Sequence, residues 1–260
     1  MNQKLLYKRI AIKVGSNVLT APDGKLDIER ISHLVEQISR VRELGIEVVL
    51  VSSGAVAAGR AVMSDTNKMD AVSARQLWSA VGQVKLINIY AELFAKHGFH
   101  CAQVLTTKEN FSDRRHYLNM KNCISTMLDN NVIPIVNEND TISVTELMFT
   151  DNDELSGLIS SMMGCHALII LSNVDGIYDG NPNEATSSVI PEINASNRNY
   201  ERYILMQKSG FGRGGMHTKY SVARKIALEG IDVFIANGTR KDIITGILKN
   251  ENIPYTRFQS

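Results

Sequence analysis

Two hydrophobic periods alternate along the chain. Six short stretches, 10–14, 46–51, 100–105, 131–136, 167–171 and 231–236, are largely apolar, and 46–51 is rich in β-branched residues. They predict strands buried on both faces. The stretches between them change to a helical period. In 27–44, Ile28, Ile31, Leu34, Val35, Ile38, Val41 and Leu44 fall on one stripe, and Gly45 closes the helix. Segments 71–97 (one or two helices), 117–128, 152–163 and 215–229 also read as helix, the last ended by Gly230. This βαβ rhythm predicts a mostly parallel sheet between helical layers. Two stretches break it. Residues 141–149 alternate polar and apolar, which reads as a hairpin. Residues 179–199, rich in Asn, Pro and Ser, read as a long surface excursion. No repeat or interdomain linker interrupts the chain, so it reads as one domain with two lobes.

Composition narrows the function classes. With Lys plus Arg at 28 and Asp plus Glu at 27, the net charge is +1. That balance argues against a nucleic-acid backbone or an anionic membrane as the main partner. No apolar run approaches the roughly 18 residues of a membrane span, and the N-terminus shows no signal-peptide pattern. Cys101, Cys123 and Cys165 fit neither a zinc spacing nor a disulfide framework, and no histidine pair has metal-ligand spacing. A soluble, cytoplasmic protein without a protein-bound metal is expected.

Candidate chemistry gathers at strand ends, where open α/β sheets bind their ligands. Lys13 interrupts an apolar strand just before Gly15-Ser16. It reads either as an anion-facing ammonium beside a tight turn or as a lysine snorkelling from a strand end. Ser52-Ser53-Gly54 opens a small-residue helix, as an anion site or as an ordinary cap. Asn137-Glu138-Asn139-Asp140 and Asp151-Asn152-Asp153-Glu154 suit an ammonium group or the ordering of nearby lysines, and their order is wrong for a calcium loop. Asp151 and Asn152 can also cap the next helix. Gly210, Gly212 and Gly215 spell G-x-G-x-x-G, but a dinucleotide fingerprint needs a strand before it, and 200–208 read as helix or irregular structure. There is no P-loop and no G-x-S-x-G elbow. What remains is a Gly-rich loop opening a helix with Lys219 one turn in, a phosphate cradle.

In this order, Lys13-Val14-Gly15-Ser16, Ser52 through Arg60, Asn137 through Asp140, Asp151 through Ser156, and Gly214 through Lys219 closely resemble the glutamate 5-kinases, a branch of the amino-acid kinase family. The resemblance spans nearly the whole chain. It implies an α/β fold, a three-layer αβα sandwich around a mainly parallel sheet of about eight strands. It implies one kinase domain over 1–260, with a glutamate-binding lobe over about 1–165 and an ATP-binding lobe over about 166–260; many of that branch carry a C-terminal PUA domain, which this chain is expected to lack. The implied reaction is ATP-dependent phosphorylation of the γ-carboxylate of L-glutamate for proline synthesis, with Mg²⁺. By the same resemblance, Lys13 and Lys219 flank the transferred phosphoryl group and Asp153 positions them. Ser53, Gly54, Asn137, Asp140, Asp151 and Asn152 meet the substrate. Lys13, Ser172, Asn173, Arg213, Gly214, Gly215, Met216, His217, Thr218 and Lys219 meet the nucleotide. Ser172-Asn173 and Arg213 depart from the Thr-Asp and Thr common in that branch. A homo-oligomer, dimer or tetramer, and feedback inhibition by proline are further expectations. Three rivals stand beside this reading. A UMP kinase needs basic residues on the acceptor side. An NAD-dependent oxidoreductase needs a strand before Gly210. A non-catalytic sensor would have lost Lys13, Lys219 or Asp153.

Overall fold

The computed structural model describes residues 7–63, 69–143, 149, 151–182, 184, 186–201, 203 and 215–260. Its centre is an eight-stranded sheet. The strands are β1 (Arg9–Val14), β2 (Glu47–Ser52), β3 (His100–Thr106), β4 (Val132–Glu138), β5 (Ala167–Ser172), β6 (Glu192–Asn194), β7 (Asp232–Asn237) and β8 (Tyr255–Gln259). Their order across the sheet is β3-β4-β2-β1-β5-β7-β8-β6. Every pairing is parallel except β7 with β8. The helices are α1 (Ser16–Leu19), α2 (Ile28–Glu43), α3 (Ala55–Arg60), α4 (Ala71–Ala95), α5 (Glu109–Ser112), α6 (Arg114–Asp129), α7 (Asn152–Met163), α8 (Met216–Leu228) and α9 (Ile243–Leu248).

Strand alternation builds two cores. Ile10, Ile12 and Val14 of β1 face one layer with Leu50, Ile169 and Leu171, under Ile31, Val35 and Ile38 of α2 and Tyr90 and Phe94 of α4. Ala11, Val49, Val51, Leu168 and Ile170 face the other, under Leu155 and Ile159 of α7 and Tyr220 and Ala223 of α8. The result is the expected three-layer α/β sandwich.

Local chemistry sets the helix ends. Asp27 caps α2 by accepting from the Arg30 amide at 3.1 Å, and Gly45 leaves it with φ +82°. Segment 71–97 forms a single helix, α4, capped by Asp70. α6 begins at Arg114, ahead of the expected 117, because the Asp113 carboxylate takes the amides of Arg115 and His116, both at 2.9 Å.

Other expectations need correction. Segment 179–199 is not wholly a surface excursion. Its end forms edge strand β6 against β8, and Ile193 and Ala195 are buried. The proposed hairpin at 141–149 lies mostly outside the described residues. α9 and β8 were not anticipated. α9 is short, with four of its six residues buried, so it shows no amphipathic stripe. β8 is a polar-apolar alternation with Thr256 and Phe258 inward, unlike the continuous apolar runs.

Candidate active site

Period-two alternation puts Lys13 on the α7 side of β1, flanked by Val51 and Ile170 of the neighbouring strands. The first turn of α7 brings Asp153 to the same place, and the first turn of α8 brings Lys219. Asp153 is fully buried. Lys13 Nζ lies 2.5 Å from its Oδ1, an ion pair off the axis of a hydrogen bond. Lys219 Nζ donates to Oδ2 at 2.9 Å. A snorkelling Lys13 is therefore excluded. Its side chain is buried and its charge is paired. Burial acts to raise the Asp153 carboxyl, but the two ammonium groups outweigh it and hold it below the ordinary carboxylate value. Lys13 and Lys219 share this one buried carboxylate, and the Asp151 carboxyl lies near enough to feel both ammonium groups.

Asp151 is the N-cap of α7. It accepts from the amides of Asp153 at 2.9 Å and Glu154 at 3.2 Å. Its Oδ2 is buried without a hydrogen-bond partner. Burial, then the neighbouring Asp153 charge, push its carboxyl up to about 6.

An amide chain lies beside this cluster. Asn152 Nδ2 donates to Ser53 Oγ at 2.8 Å and to Asn137 Oδ1 at 3.0 Å. Asn137 Nδ2 donates to Gln83 Oε1 at 3.0 Å. Gly54, with φ +107°, turns the chain from β2 into α3 after Ser53. Asp140 is buried and held by α4. Arg75 donates to its Oδ1 through Nε at 3.1 Å and Nη2 at 2.7 Å, and Ser79 donates to its Oδ2 at 3.3 Å. Glu138 is also buried and accepts from the Phe149 amide at 2.9 Å; burial raises its carboxyl.

On the other side, Ser172 ends β5 and lies 3.4 Å, Oγ to Oδ1, from Asn173. Asp175 and Arg240 form a two-pronged ion pair just beyond β5 and β7, at 2.5 and 2.7 Å. Gly215 is the N-cap of α8, with Met216, His217 and Thr218 in its first turn. Arg213 and Gly214 lie outside the described residues. Gly15 reads in the sequence as permitting a tight turn. Its φ is −77°, and its amide is spent on Leu171 O at 3.2 Å, where the β1–β5 ladder runs one residue further.

Lys13, Asp153 and Lys219 thus converge, as do Ser53, Asn137 and Asn152. The helix read at 71–97 also lines the site, which the sequence reading missed. Arg75, Ser79 and Gln83 recur every four residues in a largely apolar helix, and that polar stripe was the available signal. Among the described residues no group of three or more His, Cys, Asp or Glu could hold a metal, and no helix is long and apolar enough to cross a membrane. The described residues between β6 and Gly215 include a 3-10 turn at Arg198–Tyr200 and no strand, so a dinucleotide fingerprint has no support there.

Residues 8–237 match the amino acid kinase family. A glutamate 5-kinase of Bacteroides thetaiotaomicron is 60% identical over 97% of this chain and 70% of its own length. One of Chlorobaculum tepidum is 50% identical over 95% of this chain and 68% of its own. The carbamate kinase of Giardia lamblia bound to AMP-PNP superposes with a TM-score of 0.69 over 97% of this chain and 98% of that one, at 19% identity, a likeness of fold alone. With the motifs in order and the sheet in place, the chain belongs to the amino acid kinase family, on its glutamate 5-kinase branch.

Proposed function

We propose that this chain transfers the γ-phosphoryl group of ATP to the γ-carboxylate of L-glutamate, giving L-glutamyl 5-phosphate for proline synthesis. The observation that carries the mechanism is the buried Lys13–Asp153–Lys219 cluster beside the Asn137–Asp140 loop. A carboxylate is already a nucleophile at neutral pH, so no general base is required. The work is alignment and charge neutralisation. Lys13 and Lys219 act on the oxygens of the transferred group, and Asp153 holds both ammonium groups in place. Asp140 takes the substrate ammonium. Ser53 Oγ accepts from Asn152, which leaves its hydroxyl proton to donate to a substrate carboxylate.

The nucleotide lies over Ser172, Asn173 and the 213–219 loop, and the lobe before about residue 165 holds glutamate. A Mg²⁺ carried by the nucleotide phosphates is part of the proposal. Such an ion supplies further charge neutralisation there. A cytoplasmic homo-oligomer inhibited by proline completes the proposal. The acceptor side carries Glu138, Asp140 and Asp151, with Arg75 already paired to Asp140, a balance ill suited to the phosphate of UMP.

The test is ATP consumption with Mg²⁺ across L-glutamate, N-acetylglutamate, aspartate, carbamate and UMP, with hydroxylamine to trap an acyl phosphate. Glutamate-dependent turnover with hydroxamate formation is expected. Turnover with UMP and none with glutamate overturns the reading.

A further inference from the structure

The proposed chemistry leaves Arg75 without a task, although it touches a residue assigned to the substrate. Arg75, Ser79 and Gln83 stand on one face of α4, at four-residue intervals, and all three grip the end of β4 or the loop after it. The Arg75–Asp140 pair is lopsided. Asp140 is 7% exposed and its second oxygen is fixed by Ser79, whereas Arg75 keeps 33% of its side chain exposed. Arg75 spends Nε and Nη2 on the single oxygen Oδ1. No hydrogen bond joins Nη1 to an acceptor among the described residues, and Nη2 stands 3.9 Å from Glu138 Oε2. The guanidinium is thus anchored along one edge and open along the other.

A carboxylate as buried as Asp140 needs a cation whether or not a substrate is bound. Arg75 supplies it in this structure. The head group of an amino acid brings an ammonium, and on the same carbon it brings a carboxylate. We propose that Arg75 determines specificity by taking the acceptor's α-carboxylate on its open edge while the substrate ammonium joins it on Asp140. Each charge of the zwitterion then faces its opposite. This rests on the assignment of Asp140 to the ammonium. It makes the enzyme select acceptors with a free α-carboxylate, a demand that the phosphoryl chemistry at the γ-carboxylate does not impose.

L-Isoglutamine, the α-amide of glutamate, separates the two roles Arg75 can have. It keeps the ammonium and the γ-carboxylate and loses only the α-charge. The measured quantity is the ratio of kcat/KM for glutamate to that for isoglutamine in folded, ATP-consuming protein. For wild type a ratio of about 10–100 is expected, the size of one charge-assisted contact. Arg75→Gln should bring the ratio to within about threefold of unity, mainly through the glutamate KM, and Arg75→Lys should keep part of the preference. A residue that only braces Asp140 would depress both acceptors equally and leave the ratio unchanged, which overturns the proposal. So does a wild-type ratio near unity. Absence of any glutamate turnover in wild type overturns the proposed function itself, whereas glutamate turnover with an unchanged ratio overturns only the role of Arg75.

Discussion

Among single residues, Asp151 carries the clearest cost in stability. Its Oδ2 has no partner and its carboxyl is raised from 3.8 to about 6. Between those values the folded protein binds more protons than the unfolded chain, so stability falls as pH rises through the window. Above about pH 6 the whole penalty is present. Asp153, held below its ordinary value, works in the opposite sense and outside that window. It adds stability above its usual pKa that is lost only in stronger acid. Asp151→Asn removes the penalty and keeps the cap, since Asn serves α7 as well as Asp. The variant should gain about 1–3 kcal/mol over wild type at pH 7.5, and the gain should fade toward pH 4. Its glutamate affinity should drop, the exchange expected where a strained group serves a ligand. Thermal melts at the two pH values check this, and equal melting temperatures at pH 7.5 would contradict it.

At the scale of elements, the contact between α3 and α4 fixes the acceptor wall. A Cβ on Gly59 would lie 1.8 Å from Trp78 O, and one on Gly82 would lie 1.8 Å from Ala55 O. The two helices touch backbone to backbone. The small-residue run after Gly54 therefore serves packing. α4 is also the helix whose stripe holds Asp140 and Asn137, so its distance from α3 sets the position of that stripe. In an isolated helix Gly→Ala stabilises by about 1 kcal/mol. Here Gly82→Ala should destabilise by at least about 2 kcal/mol, because the new methyl meets backbone that cannot turn aside. It should also raise the glutamate KM. Urea unfolding decides the sign, and a stabilised variant would refute the close contact. The central strands β1, β2, β4, β5 and β7 were legible because burial on both faces makes continuous apolar runs. β8 and α9 were not, since neither one-sided alternation nor a short, largely buried helix gives that signal. Site residues that break an apolar strand or crowd a strand end, such as Lys13 and Asp140, could be read in the sequence. Arg75, Ser79 and Gln83 leave only a polar stripe in the sequence, whose meaning appears when α4 lies against β4.

The whole molecule brings together one site from three distant segments. Lys13 leaves the first strand, Asp153 opens α7 and Lys219 opens α8, and the β2-β1-β5-β7 centre of the sheet sets their separation. The cluster is thus a property of the complete sandwich, and its effect on rate should be shared among its members. Charge on the transferred phosphoryl group is redistributed in the transition state, so the lysines should act mainly on kcat. Lys13→Ala and Lys219→Ala should each lose about 10²–10³-fold in kcat, the scale of one preorganised donor. The double variant should lose less than the product of the two, because a single reaction centre is shared. Asp153→Asn should lower kcat as well, by releasing both ammonium groups from their positions while circular dichroism reports a retained fold. A steady-state double-mutant cycle with glutamate and ATP saturating measures all of this. Near wild-type kcat in folded Lys13→Ala would show that the buried cluster holds the sheet together without sharing in the transfer, and full multiplicativity of the two lysine losses would show that the lysines act independently.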